Sequence, residues 1–252
     1  MQRRVDYDRR QHEVYPTGRA MSPEAVERWM SVFRRHAPRR TGTVLDLGSG
    51  IGRFTPALAE TFGALVYGVE PSDRMRETAE LSAAHPKVVY LPGKAERIPL
   101  PGGSCDLVLL YLVLHHVRDR PSAAADISRV LVPGGRVLIR GAFAGRMPML
   151  PWHRYFPRGR EIEEELFPSL PEVLDMFAVH GVRRIALERV RQRVAPSLAA
   201  YAERLRLRPY STFEHLDDED TAAGFAALEA DVAAEREPAP VEEECDLLVL
   251  GS

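Results

Sequence analysis

The sequence predicts an α/β fold in which a mainly parallel, seven-stranded sheet carries helices on both faces. Short apolar runs alternate along the chain with segments whose apolar residues recur every three or four positions. A glycine-rich turn follows the first predicted strand, and no internal repeat interrupts the alternation. At 252 residues, with 45% hydrophobic and 28% charged residues, the chain can build one domain with a large core.

The first predicted element is a helix that begins at Ser22-Pro23, because proline suits the first helical turn and the apolar residues after it share one face. Further helices are predicted after the glycine-rich turn, over 72–84, before Pro133 and over 170–179. Glycine and proline mark several of the turns between strands and helices. The predicted strands are 43–47, 65–69, 87–91, 106–111, 136–140, 182–190 and 245–250.

Composition and charge argue against several classes of protein. The longest apolar run, 107–114, has eight residues, whereas a membrane helix needs about 20. Arginines are concentrated in 1–40 and acids in 214–244, but no basic cluster interleaved with aromatic residues suggests nucleic-acid binding. The two cysteines lie far apart, and the adjacent histidines alone do not indicate a metal site. The acidic run 242–244 is expected to be a solvated lead-in to the last strand and not a metal site. We therefore expect a cytoplasmic protein that binds neither nucleic acid, membrane nor metal, and the sequence leaves its oligomeric state open.

The strongest motif is the turn after the first strand, where Gly48, Ser49, Gly50 and Gly52 lead into a helix. Glycine permits a positive φ and lets a ligand approach bare backbone, while the helix that follows presents unpaired N–H groups. The dinucleotide fingerprint is G-x-G-x-x-G, but here the third glycine comes one residue early. This spacing favours a nucleoside cofactor other than a dinucleotide.

Taken with residues 93–99, 105–117 and 129–135, this turn resembles the class I S-adenosylmethionine-dependent methyltransferases, near their UbiE-like small-molecule branch. The resemblance covers roughly residues 40–140. It implies a Rossmann-like sheet with an antiparallel last strand, S-adenosylmethionine as cofactor and a small-molecule acceptor. Ligands of such sheets bind outside the carboxyl ends of the strands.

The resemblance also implies which residues hold the cofactor. Glu70 would accept the ribose hydroxyls, and Lys94 stands where related proteins often have an aspartate. An N-terminal segment would fold over the cofactor and offer aromatic faces to the sulfonium and an arginine to the carboxylate. The cofactor-binding residues expected in this way are Tyr7, Tyr15, Arg19, Asp46, Gly48, Ser49, Gly50, Glu70, Ala95, Glu96, Tyr111 and Leu112.

The same resemblance divides the chain and suggests reacting groups. Residues 1–40 would form a helical arm over the cofactor, 41–141 the cofactor-binding core, 142–168 a lid or acceptor pocket, and 169–252 the rest of the same domain. His115 or His116 could act as a general base if the acceptor is protonated, although packing or cofactor contact is the simpler reading. The aromatic segment after strand five suggests Trp152, His153 and Tyr155 as acceptor contacts.

Two alternatives stay open at this stage. An NAD-dependent oxidoreductase would share the strand, the glycines and Glu70, but its glycine spacing would differ and a second nucleotide-binding half is not evident. A catalytically silent relative would bind the cofactor, or nothing, and act through a protein partner.

Overall fold

The sheet of this protein has seven strands in the order β3-β2-β1-β4-β5-β7-β6. The computed structural model describes residue 18 and residues 21–252. Strands β1 to β5 run parallel to one another, whereas β7 pairs antiparallel with both β5 and β6. The predicted seven-stranded, mostly parallel sheet with an antiparallel last strand is therefore confirmed.

The element bounds follow the predicted alternation closely. The strands are β1 (Thr43–Leu47), β2 (Leu65–Glu70), β3 (Val88–Pro92), β4 (Cys105–Tyr111), β5 (Leu131–Gly141), β6 (Arg183–Ala195) and β7 (Val241–Gly251). Within residues 21–252 the helices are α1 (Pro23–His36), α2 (Thr55–Phe62), α3 (Asp73–Ser82), α4 (Arg120–Val130), α5 (Pro157–Leu166), α6 (Leu170–Ala178), α7 (Leu198–Arg206) and α8 (Asp218–Ala234). None of these helices has the length and apolar composition needed to span a membrane.

Helix α1 begins where its sequence predicts. The Ser22 hydroxyl accepts a hydrogen bond from the amide of Ala25 at 3.2 Å, and Pro23 occupies the first turn. Trp29, Met30 and Phe33 on the same face are buried. The capped helix therefore covers the sheet without leaving the donors of its first turn unsatisfied.

Strands β6 and β7 are longer than their apolar runs predict. Beyond those runs the two strands carry facing charges, and Arg191 Nε pairs with Glu242 Oε2 at 2.8 Å. The acidic run 242–244, expected to be a solvated lead-in, instead belongs to β7, and its Glu243 is buried. Alternating charge conceals a strand from a search for apolar runs.

The core consists of a cluster on each face of the sheet and a third among the C-terminal helices. Helices α4 and α6 pack on one face, and α1 and α2 on the other. Residues 142–168 do not pack by themselves, because Trp152, Tyr155 and Phe156 share the third cluster with α7, α8 and the segment between them. Both long strands, β6 and β7, reach from the sheet into this third cluster, through residues such as Ala195.

Candidate active site

The turn after β1 lies at the carboxyl edge of the sheet. Gly48 and Gly50 have φ values of 72° and 56°, in the left-handed region that favours glycine. The Gly48 amide donates to the Val69 carbonyl at 2.7 Å, which ties the turn to β2. A Cβ at Gly48 would come within 2.5 Å of Val113, whereas one at Gly50 would enter open space. The turn is thus packed on one side and open on the other.

Glu70, the last residue of β2, holds this turn in place. Its Oε2 accepts from the Gly50 amide at 3.0 Å, and its Oε1 accepts from the Ser72 amide at 2.9 Å. The side chain is buried at 8% exposure. Carboxylate oxygens each accept more than one hydrogen bond, so holding these amides is compatible with accepting ligand hydroxyls as well.

Asp46 lies inside β1, beneath the turn. It is buried and accepts a hydrogen bond from the Thr55 hydroxyl at 2.7 Å, at the start of α2. Burial raises the pKa of Asp46 to about 6 from an ordinary 3.8, and the nearby charge of Glu70 adds to the rise, while the Thr55 bond opposes it. Asp46 lines none of the three cavities described below, so it supports the turn from beneath.

A cavity of about 130 Å³ lies beside the turn, between the ends of β1 and β2 and the loop after β3. Three residues expected to bind the cofactor, Gly48, Ala95 and Glu96, line it together with Lys94. His116, expected as a possible base, lines the same cavity. The structure therefore brings these three expected cofactor residues together around one cavity and places His116 beside them.

A second cavity, of about 430 Å³, opens beyond the carboxyl ends of β4 and β5 on the face covered by α1. Tyr111 and Leu112 form its near wall, and Leu112 adopts a positive φ of 60°. Its far wall comes from β5, β6, β7 and α7 through Arg140, Gln192, Glu243 and Tyr201. Burial raises the pKa of Tyr111 to about 12, so its hydroxyl stays neutral.

A third cavity, of about 40 Å³, adjoins the second and shares Leu112, Arg140, Tyr210 and Glu243 with it. His115 lines this small cavity, and its ring stacks on Phe167 with 4.1 Å between ring centroids. The two adjacent histidines, both in the short 3₁₀ helix Leu114–His116, thus face different cavities.

Three residues expected as acceptor contacts do not line these cavities. Trp152, His153 and Tyr155 are at most 8% exposed and line none of the cavities described here. Trp152 and Tyr155 belong to the third cluster, and His153 Nε2 bonds Glu163 Oε2 at 2.9 Å. The rings of Trp152 and Tyr155 therefore fill a core. Trp152 still reaches the site indirectly, because its ring stacks on Tyr210 at 5.0 Å between centroids.

Other residues of the expected acceptor segment do reach the site. Pro148, Leu150, Glu163 and Phe167 line the small cavity. Tyr7, Tyr15 and Arg19, expected to cover the cofactor, lie outside the described residues.

Sequence reasoning missed the far wall of the large cavity. Arg140, Gln192 and Glu243 lie on three different strands, and pairing of β6 with β7 brings Gln192 opposite Glu243. One signal was available: Arg140 interrupts the apolar run of β5 at the carboxyl edge, and a buried arginine needs a partner or a ligand.

Comparison with known proteins places this site in a family. The methyltransferase-domain family matches residues 45–139, which hold the turn, Glu70 and the end of β4. An uncharacterised methyltransferase of Mycobacterium tuberculosis is 40% identical over 125 residues, which are 49% of this chain and 47% of that protein. The chain thus spans about half the length of the curated relatives it matches first.

One further relative and one solved structure extend the match. The ubiquinone/menaquinone biosynthesis C-methyltransferase UbiE of Syntrophotalea carbinolica is 32% identical over 184 residues, 63% of this chain and 76% of that protein. The crystal structure of a methyltransferase from an antibiotic biosynthesis pathway of Anabaena variabilis has a TM-score of 0.70 at 21% identity. That structural match covers 92% of this chain and 100% of the other.

Proposed function

This chain belongs to the class I S-adenosylmethionine-dependent methyltransferases, and from this premise we propose that it transfers a methyl group from S-adenosylmethionine to a small-molecule acceptor by direct displacement. One observation carries the proposal. The cavity beside Gly48 and the large cavity beyond Leu112 lie along the same carboxyl edge, separated by the short segment 111–113 at the end of β4. S-adenosylmethionine would place its adenosine beside Gly48 and its sulfonium methyl group at the large cavity if it lay along this edge.

The residues present fit this donor. The Gly50 turn is open where a ligand would lie, and the buried Ser49 hydroxyl has no hydrogen-bond partner among the described residues. A buried hydroxyl without a partner is costly, which favours a ligand that supplies one. Gly48, Ser49 and Gly50 would hold the amino-acid part of the donor, Glu70 its ribose, and Ala95 and Glu96 would border its adenine.

The bound donor supplies a methyl group that a positively charged sulfur has already activated. The chain therefore needs chiefly to align the acceptor and keep water away. Tyr111 and Leu112 supply an apolar wall at the junction of the two parts. His115 lines the small cavity that adjoins the large one and would take the proton of a protonated acceptor that reaches it, whereas His116 lines the donor side.

Calorimetry on the pure, folded chain tests the donor. We expect S-adenosylmethionine and its demethylated product, S-adenosylhomocysteine, to bind with one-to-one stoichiometry and NAD to give no heat of binding. If neither sulfur compound binds, or if NAD binds more tightly, the proposed function is wrong. Methyl transfer from labelled S-adenosylmethionine to a mixture of small acceptors then separates an enzyme from a silent relative.

A further inference from the structure

A buried arginine forms the wall that the two acceptor-side cavities share. Arg140, on β5, is 6% exposed and lines both the 430 Å³ and the 40 Å³ cavity. Its guanidinium carbon lies 4.6 Å from the centroid of the Tyr111 ring and 5.9 Å from that of Trp29. These rings hold the planar guanidinium so that its N–H donors point along its edges.

The hydrogen bonds of Arg140 leave its buried Nε donor unmet within the described residues. Both of its side-chain hydrogen bonds within the described residues use Nη2, which donates to Glu243 Oε1 at 3.1 Å and to Cys245 Sγ at 2.6 Å. Nε is buried and has no partner within that part of the chain. Buried donors are generally satisfied by protein, water or ligand, so this N–H is a candidate to receive an acceptor atom from outside the protein.

Glu243 cannot turn to satisfy Nε without breaking a network. Its Oε1 also accepts from Gln192 Nε2 at 2.6 Å, and Gln192 Oε1 in turn accepts from the indole N–H of Trp29. The carboxylate is therefore fixed by β6 and α1 as well as by Arg140. This fixed network presents the Nε edge of Arg140 in a defined orientation.

The rest of the large cavity suits an anion that carries a ring. Among the described residues, the charged side chains on its wall are four arginines, Arg53, Arg140, Arg193 and Arg204, and one acid, Glu243. Three tyrosines, Tyr111, Tyr201 and Tyr210, supply flat apolar faces. A volume of about 430 Å³ is within the usual range for small-molecule sites.

We propose that the methyl acceptor is a small molecule with one or two rings and a carboxylate group. The carboxylate accepts a hydrogen bond from Nε of Arg140, and a ring packs against the tyrosines. The inference rests on the proposed function, because it takes the space beyond Leu112 as the acceptor site. Charge-assisted hydrogen bonds of this kind discriminate strongly against an uncharged analogue.

The test uses the full chain saturated with S-adenosylhomocysteine. A panel of one-ring and two-ring aromatic carboxylates, each paired with its primary carboxamide, is titrated by calorimetry. We expect at least one carboxylate to bind with an affinity about tenfold or more above that of its carboxamide. If S-adenosylhomocysteine binds but no carboxylate exceeds its amide, the inference fails and the proposed function survives. If S-adenosylhomocysteine itself does not bind, the proposed function fails.

Two variants assign the effect to Arg140. Arg140→Lys keeps the charge but removes the Nε donor, and we expect the preference for carboxylate over amide to fall about tenfold. Glu243→Gln removes the acid that competes for Arg140, so carboxylate affinity is expected to rise. A purely structural role of the pair predicts weaker binding in both variants and would overturn the assignment. Arg189→Lys, whose arginine pairs with Asp246 and lines neither cavity, is the matched control and should leave the preference unchanged.

Discussion

Gly50 differs from the other glycines of the turn in what surrounds it. A side chain at Gly48 or Gly52 would strike Val113 or Tyr90, but one at Gly50 would meet no atom of the described residues within 4 Å. Gly63, at the end of α2, has nearly the same backbone, with a φ of 63° against 56°, and is equally open. A side chain would be strained by the positive φ at both positions. Only Gly50 lies at the proposed donor site.

This pair makes a matched test of the donor site. Gly50→Ala and Gly63→Ala should each lower the free energy of unfolding by about 1 kcal/mol, because alanine is strained at positive φ. Only Gly50→Ala should weaken S-adenosylhomocysteine binding, by about tenfold or more, because the new methyl group occupies the space of the ligand. Calorimetry and chemical unfolding measure the two effects. Equal affinities in the two variants would remove Gly50 from the site.

Asp46 predicts a pH dependence of stability. Its pKa in the folded protein is about 6, above the ordinary 3.8, so the folded state binds this proton more tightly than the unfolded state. The stabilisation is complete below pH 3.8, is lost as the pH rises towards about 6, and stays lost above it. The corresponding free energy is ~3 kcal/mol at most.

Asp46→Asn isolates this contribution, since the amide oxygen can still accept the Thr55 hydrogen bond. We expect the variant to gain stability relative to the natural chain between pH 4 and pH 7, by up to ~3 kcal/mol. Unfolding in guanidinium chloride at several pH values gives the difference curve. A difference that does not change with pH would contradict the raised pKa of this buried carboxyl.

Among the elements, α8 shows how packing overrides helix propensity. Gly224 lies in this helix, and a Cβ there would come within 2.3 Å of the Phe156 ring. Propensity alone predicts that Gly224→Ala stabilises the helix by about 1 kcal/mol. We expect the opposite, a loss of ~2 kcal/mol measured by chemical unfolding, because the ring cannot move within the cluster.

Ala223, exposed on the neighbouring position of α8, supplies the control. Ala223→Gly should lower the free energy of unfolding by about 1 kcal/mol through propensity alone. Stabilisation by Gly224→Ala would show that the helix packs less tightly on Phe156 than described.

Features that depend on neighbouring residues in the sequence could be predicted, whereas features that depend on packing between distant segments could not. The cap of α1, the glycines of the turn and Glu70 at the end of β2 are local signals, and each was found in the sequence. The sequence predicts Trp152 and Tyr155 as acceptor contacts, because an aromatic cluster in a loop is as typical of a pocket wall as of a core. Only the packing of α7 and α8 over them decides between the two, and that packing is not encoded locally.

Across the whole molecule, the far wall of the large cavity illustrates the same limit. Gln192 and Glu243 come from β6 and β7, and Arg140 from β5. Their proximity depends on β7 entering the sheet between the other two strands. The family resemblance predicts the antiparallel last strand, but a fold does not by itself determine which side chains line an acceptor site.

The long β6–β7 pair also predicts how the molecule unfolds. Its strands contribute Val190 and Cys245 to a sheet cluster and Ala195 to the third cluster, so neither cluster can separate without breaking both strands. The chain has two tryptophans, Trp29 in the first of these clusters and Trp152 in the other. Each therefore reports on one cluster.

We expect a single cooperative transition. Trp152→Phe leaves Trp29 as the fluorescent probe, and Trp29→Phe leaves Trp152. In each variant the fluorescence should change at the same urea concentration as the far-ultraviolet circular dichroism. A Trp152 signal that changes at lower urea would instead identify the helical cluster as a separately folding unit.

The position of β7 has a consequence during synthesis. While a ribosome is still making residues 196–240, the nascent chain already holds β5 and β6, yet the strand that joins them does not exist. The outer edge of β5 is then a row of unpaired amides and carbonyls, open to any extended segment nearby. Chaperones that shield such edges would be needed most in the interval before residue 241 emerges, and slow translation over that stretch would lengthen the exposure.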